Sequence, residues 1–281
     1  MPKPSARSNG HARLVASDLD GTLLRSDDSV SERTLEALAR TVEAGIRFVL
    51  VSARSPDWLA PEAARLGLDG IGICSNGAVV YDYKAKCMLI HRPLEPETAR
   101  EFVRGLRREA PGVVFACERP SGFVAEPAYR SRFRPSASIP RADALAFTAE
   151  PVTKLVLQHP KLSQPELHAI AADFGDKKIE ACYSGAGLVE IAAAGVTKGS
   201  ALAELCEELG ISSSETIAFG DMVNDVSMLE WAGRGIAVAN AHAQVLAVAD
   251  EVTASNDEDG VALVLEQLLA RDWDAPPATA A

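Results

Sequence analysis

No apolar run in the sequence approaches the ~20 residues needed to cross a bilayer. The first dozen residues also lack the apolar core of a secretory signal. Both absences predict a cytoplasmic protein with no membrane partner. The five cysteines (Cys74, Cys87, Cys117, Cys182, Cys206) are scattered, odd in number and include no Cys-x-x-Cys pair. That excludes a disulfide framework and a zinc clip, and fits buried thiols in a reducing compartment. Basic residues are the scarcer charge, 28 against 39 acidic, giving a net charge of −11. Such a surface repels polyphosphate at long range, so nucleic acid is not an expected partner. A small anion can still bind where a local cation offsets the field. There is no Gly-x-x-x-x-Gly-Lys-Ser/Thr and no Gly-x-Gly-x-x-Gly after a strand, which excludes a P-loop nucleotide hydrolase and removes the usual dinucleotide signature.

What is present is ordinary globular composition, 47% hydrophobic and 24% charged in 281 residues. At roughly one unit per 150 residues, the length suggests about two compact units. Leu14–Ala16, Ile46–Val51 and Ile71–Cys74 are short apolar runs of strand type. Between them lie a helix capped by Ser31, with Thr34, Leu35, Leu38 and Val42 at helical spacing and Gly45 at its end, and a helix from Pro56 to Gly67. Strand, helix, strand, helix, strand predicts a parallel sheet covered on both faces. The rhythm returns late in the chain, with a helix from Lys198, strands at Thr216–Phe219 and Ile236–Val238, and helices between and after them. Residues 84–193 are different: five β-like runs and two helices alternate irregularly. The expected organisation is a discontinuous α/β domain (11–83 and 194–273), an inserted α+β unit (84–193), and flexible tails at 1–10 and 274–281.

The chemistry-bearing residues sit at predicted strand ends, where ligands bind in open α/β sheets. Asp18-Leu19-Asp20-Gly21-Thr22 follows the first strand, and residues two apart on extended backbone face one side. Two carboxylates ~4 Å apart repel by about 4 kcal/mol at an effective dielectric of 20, so the pair calls for a cation or a proton. An EF-hand is excluded, because a strand precedes the segment and the twelfth loop position is Ser29. A solvated turn remains the competing reading of these five residues. Gly220-Asp221-Met222-Val223-Asn224-Asp225 lies between a predicted strand and a helix, which adds Asp221 and Asp225 to the same rim. Such an oxygen-rich set suits Mg²⁺ rather than Zn²⁺, although Asp221 would also serve as a helix cap. Ser52-Ala53-Arg54 ends the second strand, offering a hydroxyl and backbone amides to an anionic oxygen. Lys198 opens a helix, where the positive end of the macrodipole disfavours it; a residue that breaks a local rule is a functional candidate.

In chain order, the Asp18–Thr22 segment, Ser52, Lys198 and the Gly220–Asp225 segment resemble the four motifs of the haloacid dehalogenase superfamily of phosphohydrolases. With Ser75-Asn76-Gly77 and an insertion between the second and third motifs, the chain resembles the Cof-type subgroup with a type-IIB cap. The resemblance covers nearly everything between the tails. One departure is Ala53, where the subgroup usually has Gly. The resemblance implies a Rossmann-like parallel-sheet core with an inserted α+β cap that closes over a small phosphate monoester. It implies that Asp18 is the nucleophile, forming an aspartyl-phosphate, and that Asp20 is the general acid and base. Mg²⁺ would be held by Asp18, the Asp20 carbonyl, Asp221 and Asp225, the last directly or through water. Lys198 would steady the phosphoryl group, and Ser52, Ala53, Asn76, Gly77, Lys198 and Asn224 are the expected substrate contacts. Asn76-Gly77 reads equally as an ordinary turn or a hinge. Arg130, Arg132 and Arg134 form either a second anion site or a solvated loop. His91, His159, His168 and His242 receive no role. A phosphomutase or phosphotransferase using the same intermediate is the rival enzyme. A non-catalytic binding module is the rival of another class, though Asp18 and Asp20 are both present.

Overall fold

The computed structural model describes residues 12–131, 138–175, 177–184 and 187–270. The expected tails lie outside these residues. The chain runs β1 (Leu14–Ser17), α1 (Glu32–Glu43), β2 (Arg47–Val51), α2 (Pro56–Arg65), β3 (Ile71–Cys74), β4 (Val79–Asp82) and β5 (Cys87–His91). It continues through α3 (Pro96–Glu109), β6 (Val114–Arg119), β7 (Gly122–Ala125), α4 (Ala144–Phe147), β8 (Lys154–Gln158), α5 (Gln164–Gly175), β9 (Ile179–Tyr183) and β10 (Val189–Ala193). It closes with α6 (Lys198–Glu208), β11 (Thr216–Gly220), α7 (Val226–Trp231), β12 (Arg234–Ala237), α8 (Ala243–Val248), β13 (Glu251–Val252) and α9 (Gly260–Leu269).

Two compact units result, one from the residues up to Leu89 together with those from Lys198 onward, the other from Ile90–Thr197. The first carries an eight-stranded sheet in the order β13-β12-β11-β1-β2-β3-β4-β5. From β13 to β3 the strands are parallel, and β4 returns antiparallel to β3. Strands β1 and β11 are buried along their whole length, as expected of central parallel strands covered on both faces. The unit's boundaries fall a few residues later than 84 and 193, because Cys87–His91 forms the sheet's last strand.

Ser31 caps α1, its hydroxyl accepting from the Thr34 N–H at 3.0 Å. The buried stripe of α1 is Thr34, Ala37, Leu38 and Thr41. Leu35 and Val42, expected on that face, are instead 36% and 46% exposed. They stand one position, about 100° of rotation, past a stripe that keeps strict i, i+3, i+4, i+7 spacing. Helix α6 docks on α7 with backbone nearly touching backbone: a Cβ at Gly199 would lie 2.3 Å from the Ser227 carbonyl oxygen.

The inserted unit is an antiparallel sheet in the order β7-β6-β8-β10-β9. One face packs Phe115, Leu155, Leu157 and Ile191 against Phe102, Leu106 and Leu167 of α3 and α5. The other buries a smaller group, Ala116, Ala125, Tyr129, Ile139 and Val156. Layered helices over an antiparallel sheet make this unit α+β. Among the described residues no helix is long and apolar enough to cross a membrane.

Candidate active site

Parallel pairing of β1 with β2 and β11 brings the carboxyl ends of three strands to one edge of the large sheet. Asp18 follows β1 and its N–H donates to Phe219 C=O at 3.0 Å, while the Ser52 N–H after β2 donates to Ile73 C=O at 2.8 Å. Lys198, the first residue of α6, reaches the same edge. Its Nζ donates to Asp18 Oδ1 and to Asp225 Oδ1, both at 2.6 Å, and the residue is 1% exposed. Burial alone would lower its ammonium pKa, but Asp18 and Asp225 raise it above the ordinary lysine value. Two carboxylates therefore explain a lysine at a helix N-terminus that the dipole disfavours.

The Asp225 carboxylate is tied on both oxygens: Oδ2 accepts from the N–H groups of Asp221 (3.1 Å) and Met222 (2.9 Å). Asp221 Oδ1 accepts from the Thr22 hydroxyl at 2.8 Å, and its C=O accepts from the His242 N–H at 2.7 Å. Gly21, at φ +83°, passes so close that a Cβ there would stand 2.6 Å from Asp221 Oδ2. Only glycine meets both the left-handed backbone and the missing space.

Oxygens of Asp18, Asp221 and Asp225 lie within 4.8 Å of one another, all three residues buried. Burial raises Asp18 well above the usual carboxylate range; Lys198 pulls it down while Asp225, Asp221 and Asp20 push it up. Asp221 is pushed up to about 6 by burial and by Asp225, against the Thr22 hydrogen bond and Lys198. Three carboxylates facing one ammonium leave negative charge that a buried site does not tolerate. Hard oxygen donors crowded this way fit a small divalent cation such as Mg²⁺.

The Asp20 carboxylate stands outside this trio. Its Oδ2 and Oδ1 accept from Arg54 Nε (2.9 Å) and Nη2 (2.5 Å), and its side chain is 49% exposed. Ser52 is buried, its Oγ accepting from the Arg54 N–H at 3.1 Å; Ala53 lies half-buried between them. Ser75, Asn76 and Gly77 are buried and successively left-handed (φ 52°, 56° and 100°). The Asn76 N–H donates to Ser52 C=O at 3.1 Å, and Asn76 Oδ1 accepts from Asn224 Nδ2 at 3.0 Å. Among the described residues, the buried Asn224 Oδ1 has no hydrogen-bond partner. Asp18, Lys198, Asp225 and Asp221 are thus joined by hydrogen bonds in one group and Ser52, Asn76 and Asn224 in another, with Asp20 at the rim.

Residues 15–265 match the family model of haloacid dehalogenase-like hydrolases. The chain belongs to that family. It is 34% identical over 262 residues to the pyridoxal phosphate phosphatase YbhA of Escherichia coli, covering 89% of this chain and 96% of that one. It is 27% identical over 256 residues to the 5-amino-6-(5-phospho-D-ribitylamino)uracil phosphatase YcsE of Bacillus subtilis, covering 91% and 95%. A crystal structure of a haloacid dehalogenase-like hydrolase from Bacteroides thetaiotaomicron superposes with a TM-score of 0.74 at 29% identity, covering 92% of this chain and 99% of that one. As a member of the family, the protein is a phosphatase, a phosphoric monoester hydrolase.

The candidate site also holds residues that the sequence alone does not single out. Thr22 was visible as the last residue of the first motif. Arg54 stood beside Ser52 without a partner to suggest its use. Asn240, whose Nδ2 donates to Gly21 C=O at 2.8 Å, carries no sequence signal. Arg130 turns its guanidinium to the carbonyls of Pro127 and Tyr129 in the inserted unit; Arg132 and Arg134 lie outside the described residues. His91 meets Thr153, His159 meets Pro111, His168 meets Ala181, and His242 caps α8.

Proposed function

We propose that the protein hydrolyses a small phosphorylated metabolite with Mg²⁺ as cofactor, through a phosphoryl group carried briefly on Asp18. The observation that carries the reading is the convergence of Asp18, Asp221, Asp225 and Lys198 in one buried cluster. The Asp18 and Asp221 carboxylates and the Asp20 main-chain carbonyl would hold Mg²⁺, with Asp225 bound directly or behind them. When bound, the ion neutralises charge on the transferring group.

The chain's own residues do the rest. Asp18 attacks phosphorus as a carboxylate, and Lys198 neutralises it from one side, easing the approach of one anion to another. Ser52, Asn76, Gly77 and Asn224 frame the phosphoryl oxygens, with Ala53 lending main chain. Asp20 gives a proton to the departing oxygen and later takes one from water. The phosphoryl group ends as inorganic phosphate and Asp18 is restored. Service of the inserted unit as a cap belongs to the same proposal, as does a cytoplasmic setting, in line with the buried thiols of Cys74, Cys117 and Cys206.

Pyridoxal 5′-phosphate is the first substrate to assay, since YbhA carries that activity in its name; other phosphorylated cofactors and sugar phosphates follow. Phosphate release should require Mg²⁺ and stop with EDTA. Asp18→Asn should abolish turnover while circular dichroism and the melting temperature stay native. Near-normal turnover in that variant would sink the nucleophile assignment.

A further inference from the structure

Asp18, Asp221 and Asp225 are held by a lysine, by main-chain amides and by a threonine hydroxyl. Asp20 has one anchor. Among the described residues its carboxylate accepts only from Arg54, whose planar fork takes both oxygens. Arg54 is itself fixed at three points. Its N–H donates to Ser52 Oγ at 3.1 Å, its C=O accepts from the Ser75 N–H at 2.9 Å, and its Nη1 lies 3.5 Å from Glu62 Oε1. Glu62 is steadied in turn by Arg65, 2.7 Å away on the same helix. The backbone beneath Asp20 is pinned separately, by Asn240 on the Gly21 carbonyl. The main chain therefore sets where Asp20 stands, and Arg54 sets where its carboxylate points.

We propose that Arg54 is a positioning residue that holds Asp20 as an oriented carboxylate for the water-consuming half of the reaction. The inference rests on the phosphoryl-Asp18 reading above. A bidentate guanidinium–carboxylate pair fills both oxygens with N–H donors. With both oxygens held, the plane and direction of the carboxylate are fixed for taking a proton from water. In the step it serves, the water oxygen bonds to phosphorus and the phosphorus–oxygen bond to Asp18 breaks. Asp18 leaves with the electron pair as a carboxylate, and the water's proton passes to Asp20. Inorganic phosphate is the product.

The test uses the full chain with Mg²⁺ and p-nitrophenyl phosphate, whose leaving group needs little help from an acid. Arg54→Ala, Arg54→Lys and Glu62→Gln are compared with wild type by kcat, KM and rapid acid quench followed by intact-protein mass measurement. Arg54→Ala should lower kcat by about 10- to 100-fold, the scale of a misplaced general base, with KM changed less than about threefold. The fraction of enzyme trapped with one phosphoryl group should rise. Arg54→Lys restores one contact and should recover part of kcat; Glu62→Gln should fall slightly, in the same direction. Unchanged kcat in Arg54→Ala, a rise in KM alone, or a fall in kcat without more trapped phosphoenzyme overturns the proposal. If wild type traps no phosphoenzyme and Asp18→Asn still turns over, it is the phosphoryl-Asp18 reading that has failed.

Discussion

Among the described residues, each unit of the chain buries one lysine among carboxylates, and the two clusters differ in how they are built. In the inserted unit, Lys154 is 5% exposed, paired with Glu190 and 3.7 Å from Glu118. Its partners stand on neighbouring strands: Glu118 is directly opposite Lys154 on β6, and Glu190 is opposite Val156 on β10, two residues along and so on the same face. Sheet register alone assembles that cluster. Around Lys198, by contrast, the carboxylates come from loops beyond β1 and β11, and a third carboxylate, Asp221, has no lysine of its own. A buried ion pair is weak evidence of stabilisation and often serves packing. Carboxylates brought together from separate segments at the carboxyl edge of a parallel sheet, rather than by register along one face, are what mark the Lys198 cluster as the candidate reactive one.

The sharpest way to break this contrast is to remove each ammonium. Lys198→Met should cut phosphate release by about 100-fold or more, the scale of losing an electrostatic donor at a reacting oxygen. It should also lower the melting temperature in EDTA, and excess Mg²⁺ should restore much of that loss. If Mg²⁺ restores nothing, the surplus charge is not a cation site.

Lys154→Met is the counterpart. It strands two buried glutamates and should cost about 3–5 kcal/mol of unfolding free energy, with turnover per folded molecule on p-nitrophenyl phosphate changed less than about threefold. Glu190 and Glu118 raise the Lys154 pKa against the opposing effect of burial. Its stabilisation is therefore complete below the ordinary lysine value of about 10.4 and is lost as pH rises through the higher folded value. Urea midpoints of wild type and Lys154→Met should converge only at strongly alkaline pH. Convergence already between pH 7 and 9 would contradict the sign of that shift. The smallest effect belongs to Thr22→Val, which takes a hydroxyl from Asp221 and should cost about 0.5–1.5 kcal/mol, read as a small drop in urea midpoint.

How much of this was legible beforehand differs between the units for a physical reason. Central parallel strands are buried on both faces, so β1, β2 and β3 stand out as apolar runs. Strand β7 (Gly-Phe-Val-Ala) and the single turn of α4 carry too few residues to set a period, and passed unread. Strand β5 reads as β-like, but nothing in Cys-Met-Leu-Ile-His says which sheet it joins. At the site, Asp18, Asp20, Asp221 and Asp225 were visible because paired carboxylates at strand ends are costly without a purpose. Lys198 was visible because it defies the helix dipole. The Asn76–Asn224 bond was invisible, since it depends on consecutive left-handed residues that local propensity does not favour. So was the Arg54 fork, since a guanidinium reaches several ångströms in any direction.

The near-contact of Gly199 with the Ser227 carbonyl has a consequence for anyone engineering this molecule. Any side chain at 199 would wedge the two helices apart and drag the neighbouring ammonium off its anions, so the position will look catalytically essential in a saturation screen although it performs no chemistry. Activity lost there would return only through a compensating change in the 226–228 turn, which makes the two segments a single heritable block rather than independent sites.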